Sequence, residues 1–234
     1  MKHMYYRWLP IIFLIQCLVW LPGCTFLQWG AMTFRQADKV TDEYAKSMSP
    51  FIKSTVIYDQ FASIAEFSVL CLTDQARMIY ADYFFHRNFK SQEEQDLARQ
   101  RLLIENDHYI TFYVVGYQPP IVYPSGRALF SGEYQIQGPL LGTPDSNWKV
   151  SLIVNGVEYA PNDIRSVRLP TEYQHFFGIH WNQFKVAYKV RFDAYDEAGQ
   201  NVMPYGNNYV ALRFSSVQYD AKIEWRDLVY QARK

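Results

Sequence analysis

Cysteine is nearly absent from this chain: 234 residues contain three, Cys17, Cys24 and Cys71. That is too few for a disulfide-stapled scaffold, and their spacing does not pair them as zinc ligands. Excess charge of either sign is also missing, because 23 Lys and Arg balance 23 Asp and Glu. Without net positive charge there is no evident electrostatic hold on a phosphate backbone, which argues against a nucleic-acid partner. The sequence has no glycine-rich phosphate loop, no strand–turn–helix serine elbow and no paired-histidine zinc motif. The expectation is therefore a non-enzymatic protein without a cofactor. What the chain does have is apolar material: 49% of residues, with 19 Tyr, 16 Phe and 6 Trp, against 20% charged. That suffices for a packed core.

The first 23 residues are organised differently from the rest. Lys2, His3 and Arg7 precede an uncharged apolar run of thirteen residues, from Trp8 to Trp20, with no acid anywhere before Cys24. A permanent transmembrane helix needs roughly 20 apolar residues, so the run reads as a secretory signal rather than a span. It ends in Leu21-Pro22-Gly23-Cys24.

Leu21, Gly23 and Cys24 resemble the lipobox of bacterial lipoproteins. The resemblance covers only about 24 residues. It implies that the Cys24 thiol is acylated, with palmitate among the expected chains, and that residues 1–23 are removed as a signal peptide. Thr25, rather than Asp, follows the cysteine, which in enteric-type sorting implies the periplasmic face of the outer membrane. Each buried methylene contributes about 0.8 kcal/mol, so one acyl chain holds marginally and two hold stably. Loss of Lys2 and Arg7 leaves 21 bases against 23 acids, a net charge of −2. Cys17 is lost as well, so Cys71 has no thiol partner within the expected mature chain.

Downstream, hydropathy patterning predicts an α+β chain: a tether over 24–30, a helical region over 31–106, an antiparallel immunoglobulin-like β-sandwich over 107–227 and a tail over 228–234. The helical region begins with a charged stretch from Asp38 that Pro50 ends. Ile64, Phe67 and Leu70 or Cys71 recur at helical spacing, and Thr73 and Asp74 offer a cap for a segment that Asn88 closes. Ser91 and Glu94 form a capping-box pattern opening a further helix to 106, with Leu97, Leu103 and Ile104 as its expected buried stripe. At Asp107 the period changes to two. Tyr109 to Val115 is apolar on both faces and so reads as a central strand. Further strands are expected near 127–137, 148–154, 184–194, 209–215 and 217–226, with Asn155-Gly156 as a hairpin turn of type I′. In 184–194 one face is expected to be buried and the other, with Lys189 and Arg191, wet.

Candidate chemistry is sparse. His175 and His180 are five residues apart, the wrong spacing for one helical face, and no third ligand flanks them, so no metal site is expected. Asp193, Asp196 and Glu197 lack the spacing of a calcium loop and read as a solvated turn. Asp82 and His86, one turn apart, can form an acid/base pair, although a structural hydrogen bond is the commoner role. Cys71 lies among apolar residues and reads as core. The tyrosine excess suggests a partner-binding surface, with Tyr117, Tyr123, Tyr134, Tyr205 and Tyr209 as candidates in or beside loops. The reading that follows is a membrane-anchored module of the bacterial envelope that meets an envelope protein. Its rivals are an envelope hydrolase, with His108, His175 or His180 beside a Ser or Asp, and a carbohydrate- or ligand-binding module with aromatics lining a groove.

Overall fold

The computed structural model describes residues 43–59, 62–88, 90–118, 140–204 and 206–230. Residues 44–234 fall into one compact unit, which carries the architecture. Residues 43–48 are helical and run into a 3-10 turn, Ser49–Phe51, with Pro50 in its first positions. The chain then alternates in class: β1 (Ile52–Asp59), β2 (Ala62–Cys71), α1 (Asp74–Asn88), α2 (Gln92–His108) and β3 (Tyr109–Tyr117). After these come β4 (Lys149–Val154), β5 (Val157–Tyr159), β6 (Asp163–Val167), α3 (Thr171–Phe177), β7 (Val186–Asp193), β8 (Gly206–Ser215) and β9 (Asp220–Tyr230). The protein is α+β, with antiparallel sheets.

Strand order is β1-β2-β3-β7-β6 in one sheet and β5-β4-β8-β9 in the other. β3 lies in the middle of the larger sheet, as its two-faced apolarity predicts. Period two sends Phe67, Val69, Phe112, Val114, Val190 and Phe192 to the side that meets Val150, Leu152, Leu212, Phe214 and Trp225 of the smaller sheet, in one buried cluster. Phe67 stacks on Phe214 at 4.1 Å and meets Trp148 edge-on at 5.4 Å. The opposite face of the larger sheet carries Leu70, Val115 and Ala187 into a second cluster with Met48, Ala76, Tyr83, Tyr173, Phe176 and Phe177. This sheet is therefore buried on both sides.

Several sequence expectations need correcting. Residues 52–71 are not helical: β1 and β2 form a hairpin, and β2 pairs with β3 through Glu66↔Tyr117 to Cys71↔Phe112. A run buried on both faces is apolar at period two and at period 3.6 alike, so spacing could not separate them. The sheet thus recruits strands from before residue 107, and the helices lie between strands rather than ahead of them. Ser91 and Glu94 do form the capping box, and Thr73 Oγ1 accepts from the Ala76 amide. Of the expected α2 stripe only Leu103 is buried; Leu97 and Ile104 stay half exposed. The second face of β7 is not wet, because Lys189 and Arg191 are partly covered and ion-paired. The strands β5 and β6 and the helix α3 had no clear pattern. Asn155 (φ 49°) and Gly156 (φ 89°) make the expected turn, which only residues tolerant of positive φ allow. β9 continues to Tyr230, into the stretch expected as tail. The expected strand over 127–137 lies outside the described residues.

Phe67→Ala should lower stability by about 3–5 kcal/mol, because a large ring leaves a cavity between two sheets. Ser91→Ala should cost only about 1 kcal/mol, the value of one exposed cap. Urea denaturation of both variants checks the contrast.

Candidate functional site

Polar chemistry gathers where α1 and α2 cover the larger sheet. α1 carries Arg77 inward on the same helical face as Tyr80 and Ala81, and the guanidinium is almost fully buried. Its Nη1 lies 3.0 Å from Glu105 Oε2, and its Nε donates to Asn106 Oδ1 at 2.7 Å. Asn106 in turn donates to Asp74 at 2.6 Å. From β7, Lys189 Nζ donates to the other Glu105 oxygen. One carboxylate thus joins α1, α2 and the sheet. Burial alone would raise the Glu105 carboxyl, but the hydrogen bond from Lys189 and the charge of Arg77 outweigh it, holding the group below its ordinary range.

Beside this triad three tyrosines pack together. Tyr173 of α3 stacks on Tyr80 at 4.3 Å and 4° and meets Tyr113 of β3 at 4.9 Å. Burial pushes the Tyr80 hydroxyl up to about 12, with the Glu172 charge adding to the shift, and raises Tyr113 and Tyr173 as well. These phenols stay protonated at any physiological pH. Two polar atoms here, Arg77 Nη2 and Thr111 Oγ1, are buried without a hydrogen-bond partner.

A cleft of about 530 Å³ is lined by Tyr44, by Asp82, Phe85 and His86 of α1, and by Lys90, Gln95 and Arg99. Asp82 and His86 both line it, but the Asp82 carboxylate accepts from Arg99 Nη2 at 2.9 Å. Arg99 also lies over the Phe85 ring at 5.4 Å and pairs with Asp96. This arrangement clamps the Asp82 carboxylate onto a cation rather than orienting an imidazole.

The other sequence candidates are dispersed. His175 is half-buried on α3 and stacks on Tyr83 at 5.7 Å; His180 ends the 3-10 turn that follows, and His108 ends α2. Among the described residues no group of three or more His, Cys, Asp or Glu is placed to hold a metal ion. Asp193 accepts twice from Asn162, and Asp196 accepts from the Ala198 and Gln200 amides, so each serves local structure. Cys71 is fully buried, and desolvation raises its thiol beyond reach of ionisation.

Of the five tyrosines expected to form a partner surface, Tyr123, Tyr134 and Tyr205 lie outside the described residues, as does Cys24. Tyr117 is half-buried at the end of β3. Tyr209 is exposed on β8, and its hydroxyl donates to Glu224 at 2.6 Å. Tyr117 and Tyr209 lie in different sheets.

The Arg77–Glu105–Lys189 triad carried one sequence signal that reasoning missed: an arginine inside the apolar stripe of a helix. Its pH dependence follows from the sign of the Glu105 shift. A depressed native carboxyl adds stability that is complete above about 4.3, the unfolded value, and is lost as pH falls through the lower native value. Glu105→Gln should cost about 3 kcal/mol at neutral pH, since two cations stay covered and lose their countercharge. Urea midpoints measured between pH 7 and pH 3 should fall less steeply for this variant than for the wild type in the acid range.

No family model, curated protein or solved structure matches this chain.

Proposed function

We propose that this protein is a bacterial envelope lipoprotein, anchored through an acylated Cys24, whose folded body serves as a non-enzymatic interaction module. The observation that carries the reading is the Leu21-Pro22-Gly23-Cys24 sequence after a short, acid-free apolar run. Among the described residues, which do not include the Trp8–Trp20 run, no helix is long and apolar enough to cross a membrane.

The body is read as an immunoglobulin-like sandwich. Leaving β1 aside, the orders β2-β3-β7-β6 and β5-β4-β8-β9 correspond to the A-B-E-D and C′-C-F-G arrangement of that class. The α1–α2 hairpin would then be an insertion between the first two strands. Such a sandwich says nothing by itself about activity. The non-enzymatic reading is supported by how the polar groups are used: Asp82, Glu105, Asp163 and Asp193 each hold a neighbouring cation or amide.

A ligand-binding module is the second reading, favoured by the cleft that brings Tyr44 and Phe85 beside Asp82, Gln95 and Arg99. Titration with saccharides of the cell envelope should then shift the His86 ring protons in the NMR spectrum, and an unchanged spectrum at millimolar sugar contradicts it. For the anchor, cells fed an alkyne-bearing palmitate analogue should label the wild type and leave Cys24→Ser unlabelled. Equal labelling of both chains contradicts acylation at this residue.

A further inference from the structure

Among the described residues, exposed apolar side chains recur from the connection between α3 and β7 into the first residue of β7. Ile179 is 93% exposed, Phe184 73% and Val186 43%, with Trp181 half-buried between them. From Tyr173 to Phe184 the sequence has no Asp, Glu, Lys or Arg. The first charge beyond it, Lys185, is turned in onto Glu66 at 2.6 Å and is nearly buried. Val56, also exposed, stands opposite Glu66 in the β1–β2 register, on the next strand of the sheet. Other exposed apolar residues lack this setting. Leu97 and Ile104 are interleaved with Asp96 and Arg101, Val157 adjoins Glu158, and Val217 is a single residue in the β8–β9 turn. Scattered residues of that kind are ordinary surface, whereas Ile179, Phe184 and Val186 recur within eight residues with only uncharged polar side chains exposed between them, a grouping that suits an interaction surface.

The same loop adjoins the point where the chain enters the folded body. Trp181 packs in the cluster that holds Phe176 and Phe177, and Tyr44, Met48, Phe51 and Ile52 pack in that cluster too. Eighteen residues separate Cys24 from Glu43, a reach of at most about 60 Å. On the anchored reading, the face that meets the bilayer is the one whose burial is favourable and requires no charge to be desolvated. Tryptophan and phenylalanine suit the interfacial zone of a bilayer, where a ring can sit among headgroups and acyl chains.

We infer that residues 178–186 form a membrane-contacting loop whose Ile179, Trp181 and Phe184 enter the interface of the lipid surface that carries the anchor. The inference rests on the anchored reading above, and its test keeps the two separable. The full chain is purified from bacterial membranes with one nitroxide, at Ile179→Cys, Phe184→Cys or Val217→Cys. These positions are exposed, so the fold is preserved, and Cys71 is too deeply buried to take the label. Each sample is placed in phosphatidylethanolamine–phosphatidylglycerol vesicles, and the mass of its N-terminal peptide is read in parallel. Labels at 179 and 184 should meet a water-soluble nickel chelate about tenfold less often than the label at 217, and should meet oxygen more often. Equal exposure of all three labels on an acylated chain overturns the loop contact and leaves the anchor standing. Shielding at 179 and 184 that persists when the same labels sit on a Cys17→Ser, Cys24→Ser chain mixed with the vesicles supports the loop independently of the anchor. Shielding at 179 that grows with protein concentration in vesicle-free buffer assigns the patch to a second copy of the chain and overturns the inference.

Discussion

Burial of the larger sheet on both faces is the constraint on which the other features depend. A strand covered on one side alone can alternate apolar and polar residues, but β2 and β3 place Phe67, Val69, Phe112 and Val114 against the smaller sheet and Leu70 and Val115 against the helices. Removing either layer would expose a continuous apolar surface. The helical hairpin between β2 and β3 follows from the same requirement: two antiparallel helices return the chain to the end it left, so that β3 can pair antiparallel with β2 while the helices cover its outer face. The aromatic stack of α3, Tyr173 on Tyr80 and Tyr113, completes that cover.

The cover is not wholly apolar, and this explains its electrostatics. α2 contributes a single buried aliphatic residue, Leu103, and its Glu105 bridges Arg77 and Lys189. A charge triad at that position joins α1, α2 and β7 through one carboxylate, and removing that carboxylate would leave covered cations without a countercharge. The same layer packs Met48 and Phe51, so the entering chain is fixed to the helical side of the body. Fold and proposed anchoring therefore meet in one apolar cluster.

Much of this was legible in the sequence where a local rule suffices. The capping box at Ser91 and Glu94, the Asn155-Gly156 turn, the central strand from Tyr109 and the buried alternation of Tyr188, Val190 and Phe192 all depend on neighbours a few residues away. The β1–β2 hairpin was hidden because residues 62–71 satisfy helical and extended periods equally, and pairing with β3, some 40 residues later, decides between them. α3 was hidden because seven residues, Thr171–Phe177, are too few for a clear period. The charge triad was hidden for a different reason. Arg77 stands in the apolar stripe of α1, but its partners Glu105 and Lys189 lie far along the chain, so no local pattern joins the three. Of the expected tyrosine surface, only Tyr117 and Tyr209 lie among the described residues, and they sit in different sheets.

The central claim, that one acylated sulfur holds this two-sheet body at a membrane, is met most directly by the intact mass of the protein isolated from native membranes. The account predicts a chain that begins at Cys24 and carries the added mass of its acyl groups. A chain that still holds residues 1–23, or one that begins elsewhere with an unmodified thiol, would contradict it.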